Sequence, residues 1–221
     1  MKSYTNIEQG TIEWHRIRFG KVGGTSSKQL HVAKGDTLLN ELVSCKLEPY
    51  NEDEEASFKS AAMQRGNDLE PEARAALEDA TGLKFTETGW VEMDGCQLMG
   101  MSPDGITEDG KAGCEIKCPS KEVHVAYLRA GVLPMEHMNQ VVQFFAVNEK
   151  LETVWFASYR PECDIPLFKI KVERHSMVNT GTAAKPVMKD VATHAMNKRV
   201  LGLQLAEDVE KEVKRVIENQ F

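Results

Sequence analysis

The chain has 221 residues, 41% of them hydrophobic and 28% charged, with a formal net charge of −7. Those figures describe one compact globular domain, 1–221, able to bury a core of useful size. They exclude a membrane span, which needs about 18 consecutive apolar residues; the opening Met1-Lys2-Ser3-Tyr4-Thr5 also lacks a secretion signal's apolar stretch, so the expected location is the cytoplasm.

In chain order, residues 8–20 read as a short helix carrying Ile12, Trp14, Ile17 and Phe19. The Gly-rich turn Gly23-Gly24-Thr25-Ser26-Ser27 leads into a second helix ending about Ala33. Asp36 can cap a third, with Leu38, Leu39, Leu42, Val43 and Leu47 as its apolar stripe. The acidic run from Asn51 to Glu55 reads as a solvated loop. A longer helix over 56–81 contains Gly66 and Pro71, which predict a bend or break near 66–71, and Gly82 ends it. This helical part, 8–82, gives way at 84–174 to a sheet core. Strands are expected at 84–93, 96–101 and 113–118, forming a meander, and again at 152–159 and 166–174. Helices at 120–130 and 135–148 separate the two groups, and a helical C-terminal part covers 184–221, with Leu205, Val209, Val213, Val216 and Ile217 on one face. The order defines an α/β fold: a mixed central β-sheet flanked by helices.

The five cysteines are odd in number and form no C-x-x-C pair, which argues against a disulfide framework. Cys114 and Cys118 read as small apolar core residues rather than zinc or iron–sulfur ligands.

The chemistry-bearing segment is Ser102-Pro103-Asp104-Gly105, followed by Glu115-Ile116-Lys117. On a strand, Glu115 and Lys117 share one face, while Cys114, Ile116 and Cys118 turn to the core. A hairpin through 105–112 returns the chain so that Asp104 lies near Glu115. Carboxylates brought together are unfavourable unless a cation joins them. The available ligands, Asp104, Glu115 and the Ile116 carbonyl, are all oxygens, which suits Mg²⁺ or Mn²⁺ rather than zinc. Such a site serves phosphodiester hydrolysis, with Lys117 contacting the attacking water and the scissile phosphate. Glu-x-Lys alone is a weak signal, and Pro-Asp-Gly alone marks a turn.

Five blocks in one order are far more specific. They are Glu13 to Gly20 with Gly23-Gly24-Thr25, Arg65 to Pro71, Met101 to Gly105, Glu115 to Pro119, and Asn139 to Gln143. Together they resemble the lambda-type exonuclease (YqaJ-like viral recombinase) family, whose fold is the PD-(D/E)XK restriction-endonuclease-like core. The resemblance implies a metal-dependent 5′→3′ exonuclease that leaves a 3′ overhang on double-stranded DNA for phage recombination by strand annealing. It implies Asp104, Glu115 and the Ile116 carbonyl as ligands of Mg²⁺, with Mn²⁺ able to substitute. Lys117 is implied as the catalytic lysine, Glu70 as a further acid holding a second metal or its water, and Gln140 as an active-site glutamine. Arg18, Thr25 and Ser102 fall where the family holds the 5′-phosphate, and Met63 near an apolar wedge that splits terminal base pairs. A homotrimer ring around 5′-phosphorylated duplex ends is implied, with a phage single-strand annealing protein as partner. His137 stands where relatives often have Tyr, the 44–60 region aligns poorly, and the C-terminal stretch offers no motif.

The acidic balance opposes a DNA-coating protein, but bound cations offset site carboxylates, and a local basic groove can coexist with an acidic exterior. Two alternatives stay open: an endonuclease on the same core, and a non-catalytic DNA-end-binding protein, against which the intact Asp104, Glu115 and Lys117 speak. Trp14 reads as a core anchor, and His15, His124 and His137 carry no ligand spacing.

Overall fold

The computed structural model describes residues 2–31, 36–52, 61–181 and 184–219. Strand β1 (Lys2–Tyr4) precedes helix α1 (Ile12–Arg18), a 3₁₀ helix (Ser26–His31) and α2 (Thr37–Leu47). Helix α3 (Ala61–Thr81) leads into β2 (Trp90–Met93), β3 (Cys96–Met101), β4 (Gly105–Ile106) and β5 (Ala112–Lys117). Then come α4 (Lys121–Ala130), α5 (Met135–Val147), β6 (Thr153–Tyr159), β7 (Leu167–Glu173), β8 (Met177–Asn179), β9 (Met188–Asp190) and α6 (Val191–Glu218).

The central sheet is mixed, in the order β4-β5-β6-β7, with β5 and β6 parallel and the other pairs antiparallel. A parallel pair needs a crossover, and α4 and α5 supply it. One side of β5 packs Cys114 and Ile116 against Ala73 and Leu77 of α3. The larger apolar cluster lies around α5, where Val141, Val142, Phe144, Phe145 and Ala146 are all buried, and Val191, Ala195 and Val209 of α6 close over it. β5 is thus covered on both sides, as expected of a central strand.

The expected meander over 84–118 does not form. β2 and β3 pair with β1 in a separate three-stranded sheet, while β5 belongs to the central one. The chain changes sheets at Ser102-Pro103-Asp104, where Pro103 has no N–H to continue a ladder. Residues 84–89 contribute only the bridge between Thr86 and Ile106.

Helix α3 runs unbroken through Gly66 and Pro71. Pro71 lies on the exposed face, where the carbonyl that loses its partner can turn to water, while Ala73 and Leu77 hold the buried face on the sheet. The C-terminal helix starts at Val191 rather than 184. Pro186 favours extended backbone before it, Met188–Asp190 pairs with β8, and the Asp190 carboxylate caps α6 by accepting from the Thr193 N–H at 2.9 Å. The first helix is shorter than expected, its start set by the Thr11 cap. The second is a 3₁₀ turn whose expected end at Ala33 lies outside the described residues, as do 53–55 of the acidic run and 56–60 of the long helix. Asp36 occupies the cap position of α2 without a capping hydrogen bond from its side chain to the helix, and Leu47 is exposed.

Candidate active site

β4 is two residues long, so among the described residues β5 beyond Cys114 has no strand on that side. Gly105 makes the junction: a Cβ there would stand 2.6 Å from Phe85 Cβ and 2.8 Å from Cys114 Sγ. Asp104, one residue before β4, fills the open edge. Its Oδ2 accepts the Ile116 N–H at 2.6 Å. A strand residue's N–H and C=O point to the same side, so the Ile116 carbonyl faces this edge too. Glu115 and Lys117 share the opposite-parity face, with Nζ 2.5 Å from Oε1. Asp104 is 9% and Glu115 3% exposed.

Burial pushes the Asp104 carboxyl well above its ordinary pKa, and the nearby charges of Glu115 and Glu70 push the same way. Burial alone would lower Lys117, but Glu115, Asp104 and Glu70 outweigh it and hold the ammonium above the usual lysine range. Burial also raises Glu70 against the pull of Arg74. Arg74 ties this side of the site together. Its Nη2 donates to Glu70 Oε1 at 2.6 Å and to Glu87 Oε2 at 3.2 Å, and its Nε to the Asp104 carbonyl at 2.7 Å. Sequence reasoning missed Arg74 and Glu87, although Arg74 follows Glu70 by one helical turn, a legible ion-pair spacing. Among the described residues no three His, Cys, Asp or Glu side chains converge as a ready-made ion cage.

Gln140 of α5 reaches the same carboxylate: its Nε2 donates to Glu115 Oε1 at 3.0 Å. Its Oε1 lies 3.3 Å from His137 Nδ1, and His137 Nε2 lies 3.1 Å from the Tyr127 hydroxyl, which donates to Glu136 at 2.6 Å. His137, given no role by sequence spacing, therefore backs Gln140 and stacks on Phe156 with centroids 5.0 Å apart. His124 is a satisfied core histidine, held by Ser158 Oγ and the Ile165 carbonyl.

A second cluster adjoins the first. The Arg18 guanidinium lies 3.7 Å over the Trp14 ring. The Trp14 indole N–H is 2.8 Å from the Gly89 carbonyl and 3.0 Å from Ser102 Oγ, which itself donates to Gly89 at 2.7 Å. Trp14 is thus a half-buried platform for Arg18 and Ser102 rather than a core anchor. The Gly23-Gly24 turn bridges the clusters: a Cβ on Gly23 would meet Arg18 Nη2 at 3.7 Å, and one on Gly24 would meet Gln140 Cγ at 3.4 Å. Thr25 is exposed on this turn. Met63 is 57% exposed in the first turn of α3. The site residues expected from sequence thus fall into three groups: Asp104, Glu115, Lys117, Glu70 and Gln140 with the Ile116 carbonyl; Arg18 and Ser102 with the turn that carries Thr25; and Met63 on the first turn of α3.

A profile of the YqaJ-like viral recombinase domain matches residues 13–150, more than half of the chain, and the chain belongs to that family. Among solved structures it is similar to the alkaline exonuclease LHK-Exo of Laribacter hongkongensis, with 25% identity, 95% of this chain and 98% of that chain covered, and a TM-score of 0.73. The same exonuclease in complex with dAMP aligns at 25% identity, 95% and 98% coverage, and a TM-score of 0.74. No curated protein matches. The fold is PD-(D/E)XK-like, and the chain is an exonuclease.

Proposed function

We propose that this exonuclease digests one strand of double-stranded DNA from a 5′-phosphorylated end and leaves a 3′ overhang. The observation that carries it is the junction of the two clusters. A buried carboxylate pair with its lysine connects through Gln140 and the Gly24 turn to an arginine and a serine held by Trp14. The first cluster suits hydrolysis, and the second suits a terminal phosphate, for which Arg18 offers a planar fork, Thr25 a hydroxyl, and Ser102 a second hydroxyl once its proton turns from the Gly89 carbonyl. That a similar exonuclease was captured with dAMP supports a deoxynucleotide product.

The donor set fits Mg²⁺, with Mn²⁺ as a substitute. Asp104 and Glu115 are buried acids at one spot, and the Ile116 carbonyl faces the same open edge. These three would hold the ion, with Glu70 available for a second or its water once released from Arg74. When bound, the metal supplies water activation and shielding of phosphoryl charge. Lys117 stays protonated and donates from Nζ to a non-bridging oxygen of the scissile phosphate, stabilising the charge that builds there. Gln140 keeps the Glu115 carboxylate oriented through its amide N–H. Met63 is the apolar wedge at the terminal base pair.

A ring of three copies around the duplex would confine the positive field to a channel and reconcile it with the net charge of −7. The product strand would pass to a phage single-strand annealing protein in the bacterial cytoplasm. No helix of the described residues is long and apolar enough to cross a membrane. The test is digestion, with and without Mg²⁺, of linear duplexes labelled at either end and of covalently closed circles. Mg²⁺-dependent release of 5′-terminal label first, with circles resistant, is expected. Cleavage of circles would instead favour an endonuclease, and 3′-terminal release would reverse the polarity.

A further inference from the structure

Lys198 of α6 is 0% exposed and lies outside the 13–150 family match. Its Nζ is 2.7 Å from Ser27 Oγ, 3.2 Å from the Asn139 carbonyl and 3.5 Å from the Ser27 carbonyl. All three acceptors are uncharged, and among the described residues no carboxylate forms an ion pair with it. A buried cation without a counter-charge disfavours the folded state, and an apolar side chain of similar length would cost less. What the Nζ donors of Lys198 do offer is geometry. Ser27 Oγ, which accepts from Lys198, donates to the Gly24 carbonyl at 2.8 Å, setting the turn that carries Thr25. Asn139, held by its carbonyl, immediately precedes Gln140. Gly24 in turn packs on Gln140. Helix α6 is anchored next to these contacts. Arg199 Nη1 donates to the Ala146 carbonyl at 2.6 Å, and a side chain on Gly202 would collide with Met99.

We infer that Lys198 is a positioning residue that fixes the Gly23–Ser27 turn against Gln140 and so sets the seat of the terminal 5′-phosphate. The inference rests on the 5′-phosphate grip proposed above. Its test is steady-state kinetics of the full chain on duplexes with 5′-phosphoryl and 5′-hydroxyl ends, for Lys198→Met, Ser27→Ala and, as reference, Arg18→Ala. Lys198→Met should raise KM on phosphorylated ends about tenfold, roughly the worth of one buried hydrogen bond. Its kcat should hold and its thermal midpoint should not fall. Ser27→Ala should show the same pattern at smaller size, and it carries the test if Lys198→Met does not fold. If Arg18→Ala loses the phosphate preference while Lys198→Met or Ser27→Ala keeps it, or loses rate equally on both ends, the inference fails alone. If Arg18→Ala keeps the preference, the phosphate grip fails and the inference with it.

Discussion

The Gln140 amide donates to Glu115 Oε1 at 3.0 Å, on the same oxygen that meets Lys117 Nζ at 2.5 Å. One carboxylate oxygen is thus held by two donors from different elements, leaving Oε2 for a ligand. Gln140→Ala should remove one donor and let the carboxylate rotate, lowering kcat about tenfold to a hundredfold with KM for ends little changed. Gln140→Glu should be worse, because a second acid would oppose Glu115. Single-turnover digestion of a labelled duplex measures both, and an unaltered rate in Gln140→Ala would detach it from the site.

Lys117 is the ammonium among three acids. Lys117→Ala should cut kcat by about 10²–10³-fold, the usual loss for one transition-state donor. Fluorescence anisotropy with a labelled duplex end should show binding within a few-fold of the parent. Turnover close to the parent's would contradict a direct role for this lysine.

Trp14 supports Arg18 by its ring and Ser102 by its indole N–H. Trp14→Phe keeps the ring and loses only the N–H, so its effect should be slight. Trp14→Ala loses both and should raise KM on 5′-phosphorylated ends about tenfold, as expected for a cation–π contact and a hydrogen bond lost together. Equal losses in the two variants would show that the stacked ring does not hold Arg18.

The chemistry was legible where it is local. Strand alternation puts Glu115 beside Lys117, and a short hairpin brings Asp104 back to them. The supporting contacts were not, because each joins elements whose packing no spacing rule gives. Arg74 reaches Glu87 and the Asp104 carbonyl, Tyr127 of α4 reaches His137 of α5, and Lys198 reaches Ser27. The errors in the fold have the same source. Strand pattern alone could not separate β3 from β5 into two sheets, and the burial of Ala73 and Leu77 overrides the breaking tendency of Pro71 in α3.

Gly100 of β3 lies against Trp90. A Cβ there would stand 2.2 Å from Trp90 Cζ2, 2.4 Å from Trp90 Cε2 and 2.5 Å from the Val91 carbonyl oxygen. Neither the buried ring nor the ladder can yield, so Gly100→Ala should destabilise the fold by about 1–3 kcal/mol or more. Urea denaturation measures it, and a midpoint equal to the parent's would mean the β2–β3 packing is looser than described.

Lys198 also makes a prediction about pH. Burial lowers its pKa from 10.5 to about 7 in the folded protein. Between those values the unfolded chain binds the proton and the folded one does not, so this group makes stability rise with pH across the window. Below about 7 both states are protonated and the penalty is fully present, an upper bound of a few kcal/mol. Lys198→Met has no such proton. It should therefore gain stability relative to the parent most at pH 6, with the gap shrinking steadily as pH rises to 9. Urea titrations of both proteins at intervals across that range measure the difference, from which the other titrating groups cancel. A gap independent of pH would mean that the buried lysine keeps its charge when folded and that its three oxygen partners solvate it as well as water does.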